Sequence, residues 1–276
     1  KHRLDFGVIM KKGSTNKLKV QNKIPYANYS LRIRSEQDKK FLSESVKFFD
    51  ESNDNNLIKM KSFTKYSSRE MLTLFLSRYE IFKKVANIPG SIVDCGVNSG
   101  QSLFTFAKLL SIYEPFNYNA KVFGFDTFKG FQKISQDDKG QTEYENEKKI
   151  GASKYSDYEN ILQAIKLFDL NRPVNHIKKI EIFKGDVKKT VPKFVKNRPE
   201  VVVRLLNLDM DLYEPTKTAL KYFLPHIPKG GIIIFDEFNS DYYPGETKAV
   251  KELMTLNHLK LRKIPSDATM SFAIMQ

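Results

Sequence analysis

Two apolar stretches, each followed at once by a pair of acidic residues, constrain the fold of this chain more than any other feature. The stretches are 201–208 and 232–235, and a helical segment and a Lys-Gly-Gly turn lie between them. Strand, helix and strand in this order form the unit of a parallel sheet, whose strands end at one shared edge. Ligands bind at that edge in open α/β sheets. The paired acids, called the acidic cluster from here on, are Asp209, Asp211, Asp236 and Glu237.

The same alternation of strands and helices runs through the rest of the chain. The sequence predicts earlier strands from Ile92, over 121–126 and over 180–183, with amphipathic helices between them, and two closing strands at 258–264 and 269–275. This order predicts a mostly parallel sheet that is covered by helices on both faces.

Composition excludes several classes of protein. The net charge is +14, from 46 basic and 32 acidic residues, but the basic residues form no long run, which favours a solvated surface over a nucleic-acid partner. An anionic small substrate is the second interpretation. No apolar run reaches the roughly 20 residues of a membrane span, so no membrane partner is expected. The sole cysteine, Cys95, excludes an internal disulfide and predicts a cytoplasmic protein.

The pattern also predicts how the chain is divided. Residues 1–60 are polar and weakly periodic, which is typical of an N-terminal arm or cap, and 61–276 form the main domain. An arm of this kind could exchange onto a neighbouring copy, so a homo-oligomer stays open. Residues 130–157 are polar and lack apolar periodicity, and they follow a strand end at the ligand edge. A long irregular segment in that place predicts a lid.

A glycine-containing loop follows the first predicted strand. It reads Asp94-x-Gly96-x-x-x-Gly100, and glycines let a backbone turn tightly and approach a ligand closely. Asn98 stands where a dinucleotide fingerprint has its second glycine, which weighs against NAD. Asp126 ends the second strand, where an acid can bind both hydroxyls of a ribose, although it could also cap a turn. Together these residues indicate an adenosine-containing ligand.

Asp186 and the acidic cluster each have competing interpretations. Asp186 follows the third strand, where it could reach an adenine ring or equally cap the next helix. Single acids at strand ends are usually caps, but two pairs on consecutive strands favour a cation. Asp209, Asp236 and Glu237 are the candidate ligands for Mg²⁺ or another divalent cation, and Asp211 is the candidate general base.

Several motifs resemble one enzyme family over roughly residue 66 to the C-terminus. They read IVDCGVNSGQSL, VFGFDTFKGF, LNLDMDLYEPTKTAL and PKGGIIIFDEF, in this order. They are similar to the macrocin-type (TylF/NovP-like) sugar O-methyltransferases. The stretches SREMLTLFLSRYEIFKKVANIPGSIVDCGV and LLSIYEPFN look closer still to the branch that methylates nucleotide-linked deoxysugars. Asp94 departs from the family's usual Glu, and Glu237 from its usual Asp.

The resemblance implies a fold, cofactors and residue roles. The fold is the class I, Rossmann-like methyltransferase fold, with a seven-stranded, mostly parallel sheet whose last strand is antiparallel. The cofactors are S-adenosylmethionine as methyl donor and a divalent metal, usually Mg²⁺. The acidic cluster would keep the metal and base roles given above. By the same resemblance the donor would contact Asp94, Gly96, Gly100 and Ser102 at its methionine end, Asp126, Thr127 and Phe128 at its ribose, and Asp186 near its adenine.

These observations lead to one expected function and two alternatives. The chain is expected to be a metal-assisted O-methyltransferase that acts on a sugar hydroxyl, on a nucleotide-linked or otherwise glycosylated metabolite. One alternative acceptor is a non-sugar hydroxyl, such as a catechol-like or polyketide group. The other alternative is a donor-binding module without catalysis, which the intact acidic cluster argues against.

Overall fold

The structure is a computed structural model that describes residues 35–142, 145, 148–153, 157–267 and 269–276. The chain divides into two compact units, Lys1–Glu51 and Ser52–Gln276. In the first unit, helix α1 spans Glu36–Glu51. Residues 1–34 of the predicted arm and parts of the predicted lid lie outside the described residues, so the predicted boundary near residue 60 stays a prediction.

The second unit begins with three helices and continues as alternating strands and helices. The helices at its start are α2 (Asn56–Lys61), α3 (Phe63–Tyr66) and α4 (Arg69–Val85). The strands are β1 (Ser91–Cys95), β2 (Val122–Asp126), β3 (Ile180–Lys184), β4 (Val203–Leu208), β5 (Ile232–Phe235), β6 (Lys260–Lys263) and β7 (Ser271–Ile274). The helices among them are α5 (Gln101–Tyr113), α6 (Tyr158–Leu170), α7 (Val187–Asn197), α8 (Tyr213–Phe223) and α9 (Pro244–Leu253).

The described strands form one seven-stranded sheet in the order β3-β2-β1-β4-β5-β7-β6. The pairs from β3 to β5 are parallel, and β7 runs antiparallel to both of its neighbours. This arrangement confirms the predicted α/β class, the seven strands and the antiparallel last strand. The order reverses between β1 and β4, which opens a crevice at the carboxyl ends of those strands.

Two apolar layers cover the faces of the sheet. Neighbouring strand residues point to opposite faces, so Ile92 packs in one layer and Val93 in the other. Helices α4, α5 and α6 contribute to the first layer, and α7, α8 and α9 contribute to the second. Both faces are therefore buried, as a parallel sheet requires. Within the described residues, no helix has the length and apolar character to cross a membrane.

Candidate active site

A cavity opens at the carboxyl ends of the parallel strands. It is lined by residues from the loops after β1, β2, β3 and β4, and from the start of the 130–157 segment. Six of the twelve predicted site residues therefore meet in one place. Those that line the cavity are Gly96, Asp126, Thr127, Asp186, Asp209 and Asp211, joined by Asn98 of the same glycine loop.

Gly96 allows the loop after β1 to pass against the end of β4. Its φ is +95°, and an added Cβ would lie 1.7 Å from the carbonyl oxygen of Asp209. Only glycine fits this position, because a side chain would overlap backbone atoms that cannot move away. The glycine loop therefore lies close both to the cavity and to the end of the neighbouring strand β4.

Asp126 joins its own loop to the glycine loop. Its Oδ2 accepts a hydrogen bond from the Asn98 amide at 2.8 Å, and its Oδ1 accepts one from the Phe128 amide at 2.6 Å. Asn98 and Phe128 both have positive φ, at 49° and 54°. The Asn98 Oδ1 atom is buried and has no hydrogen-bond partner in the described part of the chain. An acceptor of this kind is costly unless a ligand donates to it.

The other six predicted site residues do not line the cavity; they are Asp94, Gly100, Ser102, Phe128, Asp236 and Glu237. The Asp94 side chain is fully buried and accepts hydrogen bonds from Ser102 Oγ at 2.8 Å and from Asn207 Nδ2 at 2.7 Å. Burial raises its pKa to about 6 in spite of these two donors. Asp94 and Ser102 thus fasten β1 to α5 and β4 behind the loop, and their predicted contact with a donor stays a prediction.

Asp186 has both of the features that the sequence allowed. Its side chain caps α7 by accepting from the Lys188 amide at 2.9 Å, and the residue also lines the cavity. The cap therefore holds the Asp186 carboxylate at the cavity wall. Its contact with an adenine ring stays a prediction.

The acidic cluster lies where β4 and β5 end, and burial is the largest effect that raises the pKa of each of its four carboxyls. For Asp209 the main cause is burial, followed by the negative charges of Asp236 and Asp211. Burial and Asp236 raise the pKa of Asp211 to about 7, and the positive charge of Lys148 opposes that rise. Burial, Asp211 and Asp236 raise the pKa of Glu237 to about 8.

Two charged residues that sequence reasoning missed contact the cluster. The Arg78 guanidinium lies 3.7 Å from Asp209 Oδ2 and 4.0 Å from Asp236 Oδ1, and it holds down the pKa of both carboxyls against the larger effect of burial. Glu246 is fully buried, and its Oε1 accepts from the Glu237 amide at 3.0 Å. Both residues stand on apolar helix faces, since Ile81 and Phe82 follow Arg78 at helical spacing. A charge on such a face is the signal that could have revealed them.

The donor atoms of the cluster suit a hard divalent cation, because all of them are carboxylate oxygens. Among the described residues, no three His, Cys, Asp or Glu side chains stand in an arrangement that would hold a metal ion. The chemistry of the donors therefore fits the predicted cation, while the ligand geometry is not already formed.

The chain resembles the solved structure of CalS11, described as a calicheamicin methyltransferase, at 27% identity and a TM-score of 0.80, over 87% of this chain and 93% of that one. An apo structure of CalS11, described as TDP-rhamnose 3'-O-methyltransferase, matches at 27% identity and a TM-score of 0.75, over 87% of this chain and 95% of that one. The O-methyltransferase NovP shares the fold at 20% identity and a TM-score of 0.57, over 74% of this chain and 80% of that one. No curated protein sequence matches the chain significantly.

A family-level match is more specific than these likenesses. The sequence profile described as Macrocin-O-methyltransferase (TylF) matches residues 62–270. That range spans well over half of the chain and includes the glycine loop, Asp126 and the whole acidic cluster. The chain therefore belongs to the macrocin O-methyltransferase (TylF) family.

Proposed function

We propose that the chain transfers a methyl group from S-adenosylmethionine to a hydroxyl of a sugar, with the help of a divalent cation. One observation carries the proposal: Gly96 and Asp126, from the predicted donor site, line the same cavity as Asp209 and Asp211 of the acidic cluster. A donor and an acceptor that share one cavity can meet without leaving it. Family membership supports the reaction type.

The residues at the glycine loop suit the donor. The free acceptor atom Asn98 Oδ1 can receive a hydrogen bond from an amine or a hydroxyl, and Asp126 keeps lone pairs for ribose hydroxyls. S-adenosylmethionine, when bound, supplies an electrophilic methyl group on a sulfonium. Gly96, Asn98 and Asp126 would hold it at the cavity wall.

The acidic cluster suits the acceptor. Asp209, Asp236 and Glu237 would hold a divalent cation, whose charge lowers the pKa of a bound hydroxyl. Asp211 would take the proton from the acceptor hydroxyl as the oxygen forms its bond to the methyl carbon; the bond from that carbon to sulfur would break, and S-adenosylhomocysteine would leave as a neutral thioether. Burial and Asp236 raise the pKa of Asp211 to about 7, and a bound cation would lower it, so the carboxylate would be ionised and able to accept a proton at neutral pH.

Two lysines of the cavity suit an anionic group on the acceptor, although five carboxylates line the same cavity: Asp126, Asp186, Asp209, Asp211 and Glu214. Lys133 and Lys188 line the cavity together with the donor-site residues, and the net charge of the chain is +14. CalS11 is described as acting on TDP-rhamnose. A sugar linked to a nucleotide would bring phosphate groups to these lysines, so we infer a nucleotide-linked or otherwise glycosylated acceptor.

The test combines binding and turnover. S-adenosylmethionine is titrated into the protein by calorimetry with Mg²⁺ and again with EDTA, and methyl transfer to nucleotide sugars, free sugars and catechols is followed by mass spectrometry. We expect donor binding in both conditions and transfer to a nucleotide sugar only with the cation. Transfer to catechols alone would favour the non-sugar acceptor. Donor binding without any transfer would favour a module without catalysis, and folded protein that binds no donor would refute the proposal.

A further inference from the structure

Arg78 is a buried cation on the apolar face of α4. Its side chain is 3% exposed, and Ile81, Phe82 and Val85 share its side of the helix. A guanidinium cannot lose its proton inside a protein, so its burial must be compensated by nearby acceptors or negative charges.

The contacts of Arg78 reach two parts of the site. Nη1 donates to Gln101 Oε1 at 3.2 Å, and Gln101 is the first residue of α5, directly after the glycine loop. Nη2 lies 3.7 Å from Asp209 Oδ2 and 4.0 Å from Asp236 Oδ1. One side chain therefore contacts the start of the helix behind the donor loop and the ends of both acidic strands.

The two carboxylate distances suggest how the charge is used. Both exceed the range of a direct hydrogen bond, so the guanidinium is not committed to either acid. Two like charges at neighbouring strand ends repel each other, and a cation close to both offsets that repulsion. Nε of Arg78 is buried and has no hydrogen-bond partner among the described residues, and Nη1 donates to two neutral acceptors, Gln101 Oε1 and, at 3.5 Å, the Leu74 carbonyl. The negative charges that pair with the guanidinium are those of Asp209 and Asp236.

We propose that Arg78 is a positioning residue, which holds Asp209 and Asp236 together as a shared counter-charge and links them through Gln101 to the donor loop. The role of Arg78 in catalysis rests on the proposed function. Its pairing with Asp209 and Asp236, called the pairing below, does not. The pairing predicts energetic coupling between Arg78 and Asp209 that persists when divalent cations are removed.

The experiment is a double-mutant cycle in EDTA, with the melting temperature as the measurement. Arg78→Met should lower the melting temperature by about 10 °C, because it leaves buried acids without their cation. The same change made on top of Asp209→Asn should cost less than half as much, since one of the two repelling charges is then absent. Arg78→Lys, which keeps the charge, should recover part of the loss.

Arg204→Met is the matched control. The Arg204 side chain is 1% exposed, pairs with Glu114 at 2.5 Å, and has a buried Nε without a partner among the described residues. Arg204→Met should also lower the melting temperature, but by the same amount whether or not Asp209→Asn is present. If Arg78→Met also lowers the melting temperature by the same amount with and without Asp209→Asn, the proposal is refuted.

Turnover adds a readout that a purely structural role would not change. We expect Arg78→Met to lower kcat about 100-fold with little change in the KM for S-adenosylmethionine, and Arg78→Lys to restore much of it. If Arg78→Met does not fold, recovery of folding in the Arg78→Met/Asp209→Asn double variant supports the pairing, and no recovery contradicts it. If the wild type transfers no methyl group at all, the proposed function fails while the cycle still decides the pairing.

Discussion

Gly96 shows how closely two loops of the site approach each other. We expect Gly96→Ala to lower the free energy of unfolding by about 3 kcal/mol and to weaken donor binding, because its Cβ would overlap the Asp209 carbonyl. Gly151→Ala is the control, since Gly151 has a similar φ of +82° and no atom within 4 Å of an added Cβ. It should cost only about 1 kcal/mol of backbone strain. Equal costs in urea unfolding would contradict this explanation.

Asp211 gives a second prediction for a single residue. We expect Asp211→Asn to lower the methyl-transfer rate by about 10²–10⁴-fold while calorimetry shows unchanged donor affinity. In the wild type the carboxylate must be ionised to accept a proton, so the rate should decline as the pH falls. Because a bound cation offsets the charge of Asp236, this decline should begin below the pKa of about 7 that burial and Asp236 give Asp211. A variant that keeps full turnover would exclude Asp211 as the base.

The sequence predicted residues at strand ends better than residues on helices. Asp126, Asp209 and Asp211 follow apolar strands, so their common edge could be deduced from chain order alone. Arg78 reaches the same place from a helix more than a hundred residues before Asp209, and no local pattern reports such a contact. The side-chain partners of Asp94 were equally beyond prediction, because they come from β4 and α5.

Among the elements, the 130–157 segment has the most specific attachment. Asp138 accepts from the Ser135 amide at 2.6 Å and also from the Tyr213 amide at 2.6 Å, at the start of α8. Lys148 donates to the Asp138 carbonyl at 2.9 Å, and its ammonium lies 4.5 Å from the centre of the Tyr242 ring. The described part of the predicted lid is thus fastened to the loops beside the acidic cluster.

This attachment gives a prediction for Asp138→Ala. We expect a higher KM for the acceptor with unchanged donor affinity, because the segment would lose its contact with α8 next to Asp211. Asn55→Ala is the control, since Asn55 caps α2 by accepting from the Ile58 amide at 3.0 Å. Each change should cost about 1 kcal/mol of stability, but only Asp138→Ala should change the acceptor KM. A change in KM for both variants would point to a general loss of stability.

Element positions were predictable, and their ends were less so. The strand predicted over 180–183 matches β3, whereas β4 begins at Val203 although the apolar run starts at Val201. An apolar run can extend beyond the residues that hydrogen-bond to a neighbouring strand. The strand itself begins only where that pairing begins.

For the molecule as a whole, the buried carboxyl of Asp94 makes stability depend on pH. Its pKa is 3.8 ordinarily and about 6 in the folded protein, so the folded state binds the proton more tightly. The stability that this gives is present at low pH and is lost as the pH rises through about 6. Between about pH 4 and about pH 7, the wild type should lose roughly 2 kcal/mol more than Asp94→Asn. Parallel urea unfolding curves for the two proteins would contradict the assignment.

The strand order of the whole sheet could be predicted only by combining local patterns with the family resemblance. Alternation indicates parallel strands, but it does not say that β4 returns to the other side of β1 or that β7 inserts beside β5. These choices depend on how distant layers pack. Cytoplasmic location and a homo-oligomer stay predictions.

Cys95 has a practical consequence. It is fully buried between Asp94 and Gly96, and burial raises the pKa of its thiol well above the usual value. An alkylating reagent can reach it only when β1 separates from its neighbours, so the labelling rate measures how often the centre of the sheet opens. Since the chain has no other cysteine, the native protein needs no engineering for this measurement. A ligand that holds the glycine loop should slow the labelling, which offers a screen for donor analogues that requires no acceptor.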